Sequence, residues 1–110
     1  MPNSQVNAFR MNLKPGFEAE YKKRHDEIWP ELQELLRQAG IAEYYIFLDE
    51  ATSSLFAFQK ITTTATRLSL SEQPIMRRWW DYMADIMEVN GDNSPIAVAC
   101  PEVFRLPATL

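Results

Sequence analysis

A single histidine occurs in the 110 residues, and its position makes it the first candidate for proton chemistry. Imidazole has an ordinary pKa close to neutral pH, so His25 can give or take a proton under physiological conditions. Tyr21 lies one helical turn earlier, and residues four apart on a helix point to the same side. The pair predicts a phenol and an imidazole in one pocket. The same spacing is also typical of a core histidine bonded to a backbone carbonyl, and spacing alone leaves both interpretations open.

Two adjacent tryptophans, Trp79 and Trp80, form the second group with a chemical use. On a helix they point roughly 100° apart, so one is expected to pack in the core while the other is free for a ligand. An indole stacks on the apolar face of a sugar ring and its N–H reaches hydroxyls, which favours carbohydrate binding. Tryptophans in a helical stripe are also common core residues, so the pattern decides nothing by itself.

Other chemistries lack the residues they need. Cys100, the one cysteine, follows an Ala-Val-Ala run and is expected to be a small buried hydrophobe rather than a nucleophile. One histidine and one distant cysteine do not make a zinc-type site. Three scattered glycines do not make a phosphate-binding loop. We therefore expect no metal.

Charge and length exclude further classes of protein. Eleven Lys and Arg against fifteen Asp and Glu give a net charge of -4, so nucleic acid is not an expected partner. The basic runs at 22–24 and 77–78 adjoin acidic residues and are expected to be solvated helix faces. No apolar run approaches a membrane span and no signal sequence is recognisable, so we expect a cytoplasmic protein. A single domain over residues 1–110 is expected from the length.

Hydrophobic spacing predicts the elements that position these residues. Residues 6–13 alternate as a strand, and a helix follows over 17–39 until Gly40, with Pro30 expected to kink or break it. Residues 43–49 and 55–61 predict a hairpin, and 62–70 a loop with a short helix. A second helix begins at Pro74, and a last strand lies within 99–106.

This order of elements is the split βαβ pattern of the ferredoxin-like fold, in the α+β class. The first strand of the hairpin is apolar on both faces, with Tyr44, Ile46 and Leu48 alternating against Tyr45 and Phe47. Helices on one side cannot cover both faces. A second subunit, a cavity, or both together are expected to cover the other.

Several blocks of the sequence resemble the L-rhamnose mutarotase family. Residues 21–32, Tyr-Lys-Lys-Arg-His-Asp-Glu-Ile-Trp-Pro-Glu-Leu, are similar to that family's Tyr, basic run, His and Ile-Trp-Pro-Glu-Leu signature. Residues 44–49, the Arg-Trp-Trp and Tyr-Met of 78–83, and the Asp-Asn-Ser-Pro of 92–95 before Glu-Val-Phe at 102–104 agree in the same order. The resemblance covers nearly the whole chain.

The resemblance implies a homodimer of ferredoxin-like subunits, a dimeric α+β barrel, that interconverts the α and β anomers of L-rhamnose without a cofactor. The family's proton donor matches His25, and its substrate-binding residues match Tyr21, Tyr44, Trp79 and Trp80. The group that takes the O1 proton stays unassigned, with water and Asp85 as candidates. The alternatives are a cofactor-poor or haem-degrading monooxygenase of the same barrel type and a non-catalytic sugar-binding module.

Overall fold

The computed structural model of the protein describes residues 4–62 and 69–107. Its elements in chain order are β1 (Ser4–Asn12), α1 (Glu18–Asp26), α2 (Pro30–Gln38), β2 (Ile41–Asp49), β3 (Ser54–Thr62), a short 3-10 helix (Leu70–Glu72), α3 (Pro74–Met83) and β4 (Val98–Ala99). The predicted loop with a short helix at 62–70 falls mostly outside the described residues.

The described strands form one antiparallel sheet in the order β2-β3-β1-β4. β2 and β3 pair as the predicted hairpin, with Tyr45 opposite Phe58 and Phe47 opposite Phe56. β1 lies between β3 and β4, which is the strand order of the ferredoxin-like pattern. The predicted α+β ferredoxin-like fold is confirmed.

The predicted helix over 17–39 is broken at Pro30 into α1 and α2. Proline disfavours the helical conformation in the residue before it, and Trp29 is extended, with φ -62° and ψ 131°. Pro30 then occupies the first turn of α2, where its missing N–H costs nothing. Gly40 ends the second helix with a φ of 94°, a conformation that glycine adopts without strain.

The core lies between one face of the sheet and the helices. Sheet residues Met11, Leu55 and Ala57 pack there against helical residues such as Leu32 and Trp79, all of them buried. The opposite face carries no helix in the described part of the chain. Large apolar side chains stay exposed on it, chiefly Val6, Tyr45, Phe47, Phe58 and Val98.

The last strand is shorter than predicted. β4 pairs with β1 only at Ala99 and Val98, and Pro101 follows, whose missing N–H cannot extend the ladder. Residues 101–107 have no regular structure, and Val103, Phe104 and Leu106 are 94%, 77% and 79% exposed. Cys100, predicted to be buried, is half-buried at this point.

Candidate active site

His25 lies near the end of α1, half-buried between two aromatic rings. Its ring stacks on Tyr21 at a centroid distance of 4.2 Å and stands perpendicular to the Trp79 ring at 5.4 Å. Nδ1 lies 3.1 Å from the Tyr21 carbonyl oxygen. Because a carbonyl can only accept, Nδ1 carries a proton and donates it. The neutral ring therefore has its lone pair on Nε2, for which the described residues provide no hydrogen bond.

The surroundings of His25 favour its neutral form. Burial lowers its pKa below the ordinary value, while the bond to the Tyr21 carbonyl and the charge of Asp26 act in the opposite direction with smaller effect. Burial also raises the pKa of Tyr21, as does the neighbouring Tyr44. The phenols are therefore neutral hydrogen-bonding groups, and the imidazole is the group that can exchange a proton near pH 7.

The two tryptophans of α3 differ in burial as predicted. Trp79 is buried at 6% exposure and belongs to the core, whereas Trp80 is half-buried. Trp29, which precedes the proline break, supports Trp79 with an edge contact at 5.1 Å. This contact links the segment between α1 and α2 to the site. No local pattern in the sequence predicted this role for Trp29.

The sheet supplies the wall opposite the helices. Tyr44 on β2 faces Gln59 on β3 across the hairpin. Burial raises the pKa of Tyr44, and the polar Gln59 side chain beside it partly offsets this. Sequence reasoning missed Gln59, although a signal existed. It follows Leu55 and Ala57 at alternate positions of β3, so a polar side chain stands where the strand's pattern calls for an apolar one.

A cavity of about 1100 Å³ opens between the sheet and the helices. All five predicted site residues line it: Tyr21, His25, Tyr44, Trp79 and Trp80. A recess of about 60 Å³ adjoins it, and its wall includes Tyr21, His25, Tyr44 and Trp79. Aromatic surfaces with a few convergent polar groups are typical of a small-molecule site.

Two carboxylates near the site have different surroundings. Asp85, one candidate for taking the O1 proton, does not line the cavity, and its Oδ1 lies 2.9 Å from Nη1 of Arg24. Glu18 lines the cavity two helical turns before His25. Its Oε2 is buried with no hydrogen-bond partner among the described residues. Of the two, only Glu18 lies at the cavity wall.

Within residues 4–62 and 69–107, no three His, Cys, Asp or Glu side chains are grouped as metal ligands. None of the helices in the same part of the chain has the length and apolar character needed to cross a membrane.

Comparisons with known proteins agree with this geometry. The family model described as L-rhamnose mutarotase matches residues 7–106. An L-rhamnose mutarotase of Flavobacterium johnsoniae is 55% identical over 106 residues, which cover 96% of this chain and 99% of the relative. One from Bacteroides thetaiotaomicron is 54% identical over 99 residues, covering 90% of this chain and 95% of the relative.

Solved structures give the same result for the fold. The crystal structure of an L-rhamnose mutarotase from Formosa agariphila superposes with a TM-score of 0.87 at 48% identity, over 94% of this chain and 99% of that one. A candidate antibiotic biosynthesis monooxygenase from Bacteroides thetaiotaomicron superposes at 0.58 with 14% identity, over 98% and 97%. The second likeness concerns the fold alone.

Fold and site together define an α+β protein of the ferredoxin-like type, with a histidine-bearing cavity between its sheet and its helices. Within that class, the chain belongs to the L-rhamnose mutarotase family. The family resemblance found in the sequence is confirmed.

Proposed function

We propose that this protein, working as one ferredoxin-like domain, interconverts the α and β anomers of L-rhamnose, with His25 as its proton carrier. Family membership supports the reaction and the substrate. One observation supports the site: the cavity places an imidazole, whose Nδ1 is held by a backbone carbonyl, among two phenols and two indoles.

The tautomer of His25 supports one order of proton transfers. Neutral Nε2 takes the proton from the O1 hydroxyl, the electrons form the C1=O1 bond, and the C1–O5 bond breaks. The imidazolium then returns the proton to O5, which becomes a hydroxyl. After rotation about C1–C2 the same steps run in reverse and close the ring on the other face. O1 and O5 are bonded to one carbon, so one nitrogen can serve both, and general acid–base catalysis of this kind contributes about 10²–10⁴-fold.

The other site residues bind and orient the sugar. Tyr21 and Tyr44 offer neutral phenol hydroxyls, and Trp79 and Trp80 offer apolar faces for the pyranose ring and the C6 methyl. Holding the open-chain aldehyde against these faces keeps C1 near His25 while it rotates. Aromatic packing therefore confines the intermediate while the imidazole moves its proton.

Anomer exchange can be followed directly. Freshly dissolved crystalline L-rhamnose should approach its equilibrium optical rotation faster with the protein than in buffer, and reach the same final value, because a catalyst does not move the equilibrium. Heat-denatured protein is the control. Sugar binding seen by calorimetry with no gain in rate would instead establish the binding module, and a Soret band on adding haem would favour the haem-degrading alternative.

We further propose that the outer face of the sheet is the contact of a homodimer. Tyr45, Phe47 and Phe58 form cross-strand neighbours there, and Phe47 is 59% exposed. A contiguous apolar surface of this kind on a small domain marks a protein–protein contact. The resemblance to the family implies the same assembly.

Sedimentation velocity tests the assembly. Phe47→Lys should sediment as a monomer at concentrations where the parent is a dimer, because it places a charge in the apolar contact. Gln38→Lys adds the same charge to an exposed position at the end of α2 and should leave the dimer intact. A parent protein that sediments as a monomer would refute the dimer.

A further inference from the structure

The helix that carries Tyr21 and His25 has little apolar surface with which to hold itself in place. Tyr21 is the one buried residue among those described in α1. By contrast, α2 buries Leu32 and Leu35, and α3 buries Met76, Trp79 and Met83. Another interaction must therefore fix α1 at the distance from α3 that the site requires.

Arg24, the residue immediately before His25, makes that interaction. Its side chain is 11% exposed, although the basic run at 22–24 predicted a solvated helix face. Nη1 donates to the Tyr82 carbonyl at 2.7 Å and to Asp85 Oδ1 at 2.9 Å, and Nη2 lies 3.3 Å from Asp85 Oδ2. Nε donates to Glu20 on its own helix at 2.7 Å. The guanidinium thus ties α1 to the C-terminal end of α3.

Aromatic packing continues from the same guanidinium back to the imidazole. Arg24 Cζ lies 4.4 Å from the centre of the Tyr82 ring, which stacks on Trp29 at 5.7 Å. Trp29 meets the edge of Trp79, and Trp79 meets His25. Two neighbouring residues of α1 therefore contact opposite ends of one packed series of rings, so a shift of either end displaces the other.

We propose that Arg24 is a positioning residue for His25: its clamp on Asp85 and Tyr82 holds α1 against α3 with the imidazole beside Trp79. The catalytic consequence rests on the proposed mutarotation. The clamp gives Asp85 a role in place of proton transfer, since its carboxylate is bound to Arg24 outside the cavity.

Arginine has the geometry for this clamp and lysine lacks it. The planar guanidinium reaches a carboxylate, a carbonyl and a ring face at once, with donors in fixed directions. The Tyr82 carbonyl belongs to the last turn of α3, where carbonyls have no partner within the helix. A lysine ammonium would keep the charge at this point but could not satisfy both acceptors in the plane and cover the ring.

Arg24→Gln and Lys23→Gln form a matched pair, because each removes one positive charge beside His25. Lys23 is exposed, so its loss should leave kcat within about twofold of the parent. Arg24→Gln should lower kcat about 10- to 100-fold with a smaller change in KM, the size expected when a reacting group is misplaced by about 1 Å. Arg24→Lys should not restore kcat.

Proton NMR of the one imidazole gives a readout that needs no substrate. In Arg24→Gln the His25 ring signals should lose the shifts caused by Tyr21 and Trp79, and the ring should titrate at higher pH than in Lys23→Gln because it becomes better solvated. Mutarotation by the parent is measured separately. Failure of that assay would remove the proposed function, while the ring signals would still test the clamp.

Asp85→Asn removes the other partner of the clamp, and it replaces Arg24→Gln as the test if Arg24→Gln does not fold. If Asp85 is a partner in the clamp, Asp85→Asn should shift the His25 signals and lower kcat. The double variant of Arg24→Gln and Asp85→Asn should then lose no more kcat than Arg24→Gln alone. If Asp85 instead accepts the O1 proton, Asp85→Asn should lower kcat without moving the His25 signals. The losses of kcat in the two single variants should then multiply in the double variant. That pattern, or a folded Arg24→Gln with the kcat and His25 titration of Lys23→Gln, would overturn the proposal.

Discussion

α1 and α3 both line the helical side of the cavity, and different forces hold them to the rest of the fold. α3 buries Met76, Trp79 and Met83, and full burial of such side chains contributes about 1.5–3 kcal/mol each. α1 buries Tyr21 and depends on the ion pairs and hydrogen bonds of Arg24. Exposed ion pairs typically contribute about 0–1 kcal/mol, and the Asp85 side chain is largely exposed.

Because of this difference, α3 mainly determines the stability of the protein, whereas α1 mainly determines its chemistry. Hydrophobic burial is non-directional, and it anchors α3, which supplies apolar walls to the cavity. The guanidinium of Arg24 fixes direction and distance, which the position of the proton carrier on α1 requires. Changes at Arg24 or His25 of α1 should therefore lower activity in a folded protein. Changes at the buried residues of α3 should destabilise the fold and lower activity with it.

The largest effect on activity is expected at His25. His25→Ala removes the group that exchanges the O1 and O5 protons, so the catalysed rate should fall about 10²–10⁴-fold. The helix should persist, because alanine is a good helix former and the residue is only half-buried. Polarimetry on freshly dissolved L-rhamnose measures the loss, and circular dichroism monitors the fold.

The outcome at His25 also tests the comparison of the helices. Parental activity in His25→Ala would exclude the imidazole as the proton carrier. An unfolded variant would mean that the bond between Nδ1 and the Tyr21 carbonyl holds the core together, which is the structural interpretation that spacing alone left open. Either result would contradict the separation of chemistry from stability along α1.

On α3 the expected effect is loss of stability. Trp79→Ala should lower the free energy of unfolding by about 3–5 kcal/mol, the usual cost of truncating a buried aromatic residue. Trp80→Ala is the matched control on the next residue. Because Trp80 is half-buried, Trp80→Ala should lower the free energy of unfolding by less than Trp79→Ala and should instead raise KM for the sugar. Urea unfolding compares the two, and a larger loss for Trp80→Ala than for Trp79→Ala would reverse the assignment.

Local patterns of the sequence predicted much of this structure. Alternation in β1, β2 and β3 gave the sheet, because each strand has one face toward the core. Pro30 gave the break between α1 and α2, since its ring disfavours the helical conformation in the residue immediately before it. The different burial of Trp79 and Trp80 followed from helical geometry. Each of these inferences depends on neighbours in sequence.

Interactions between distant residues were the part that sequence reasoning missed. Arg24 looked like one member of a solvated basic run, because its partners Tyr82 and Asp85 lie 58 and 61 residues away. Asp85 looked like a possible base because its partner Arg24 is equally distant in the sequence. Gln59 left a local signal on β3, but its partner Tyr44 belongs to another strand. Pro101 explains why the last strand is short, although the alternation of apolar residues around it did not show where that strand ends.

The smallest expected effects concern pH, and they test whether one group on α1 controls the reaction. Burial lowers the pKa of His25 below its ordinary value of 6.5. Because neutral Nε2 must accept the O1 proton, kcat/KM should be constant above the pKa and fall about tenfold per pH unit below it. The inflection should therefore lie below pH 6.5. α3 contributes Met76, Trp79 and Trp80 to the cavity wall and no titratable side chain among the described residues, so α3 should add no inflection of its own.

Asp26→Asn sharpens this test. The negative charge of Asp26 raises the pKa of His25, so its removal should move the inflection to lower pH. The shift should be small, since Asp26 is exposed and already paired with Lys22 at 3.0 Å. The pH dependence of kcat/KM and the NMR titration of the imidazole should move together. An inflection above pH 6.5, or one that moves while the ring titration does not, would assign the pH dependence to a group other than the imidazole of α1.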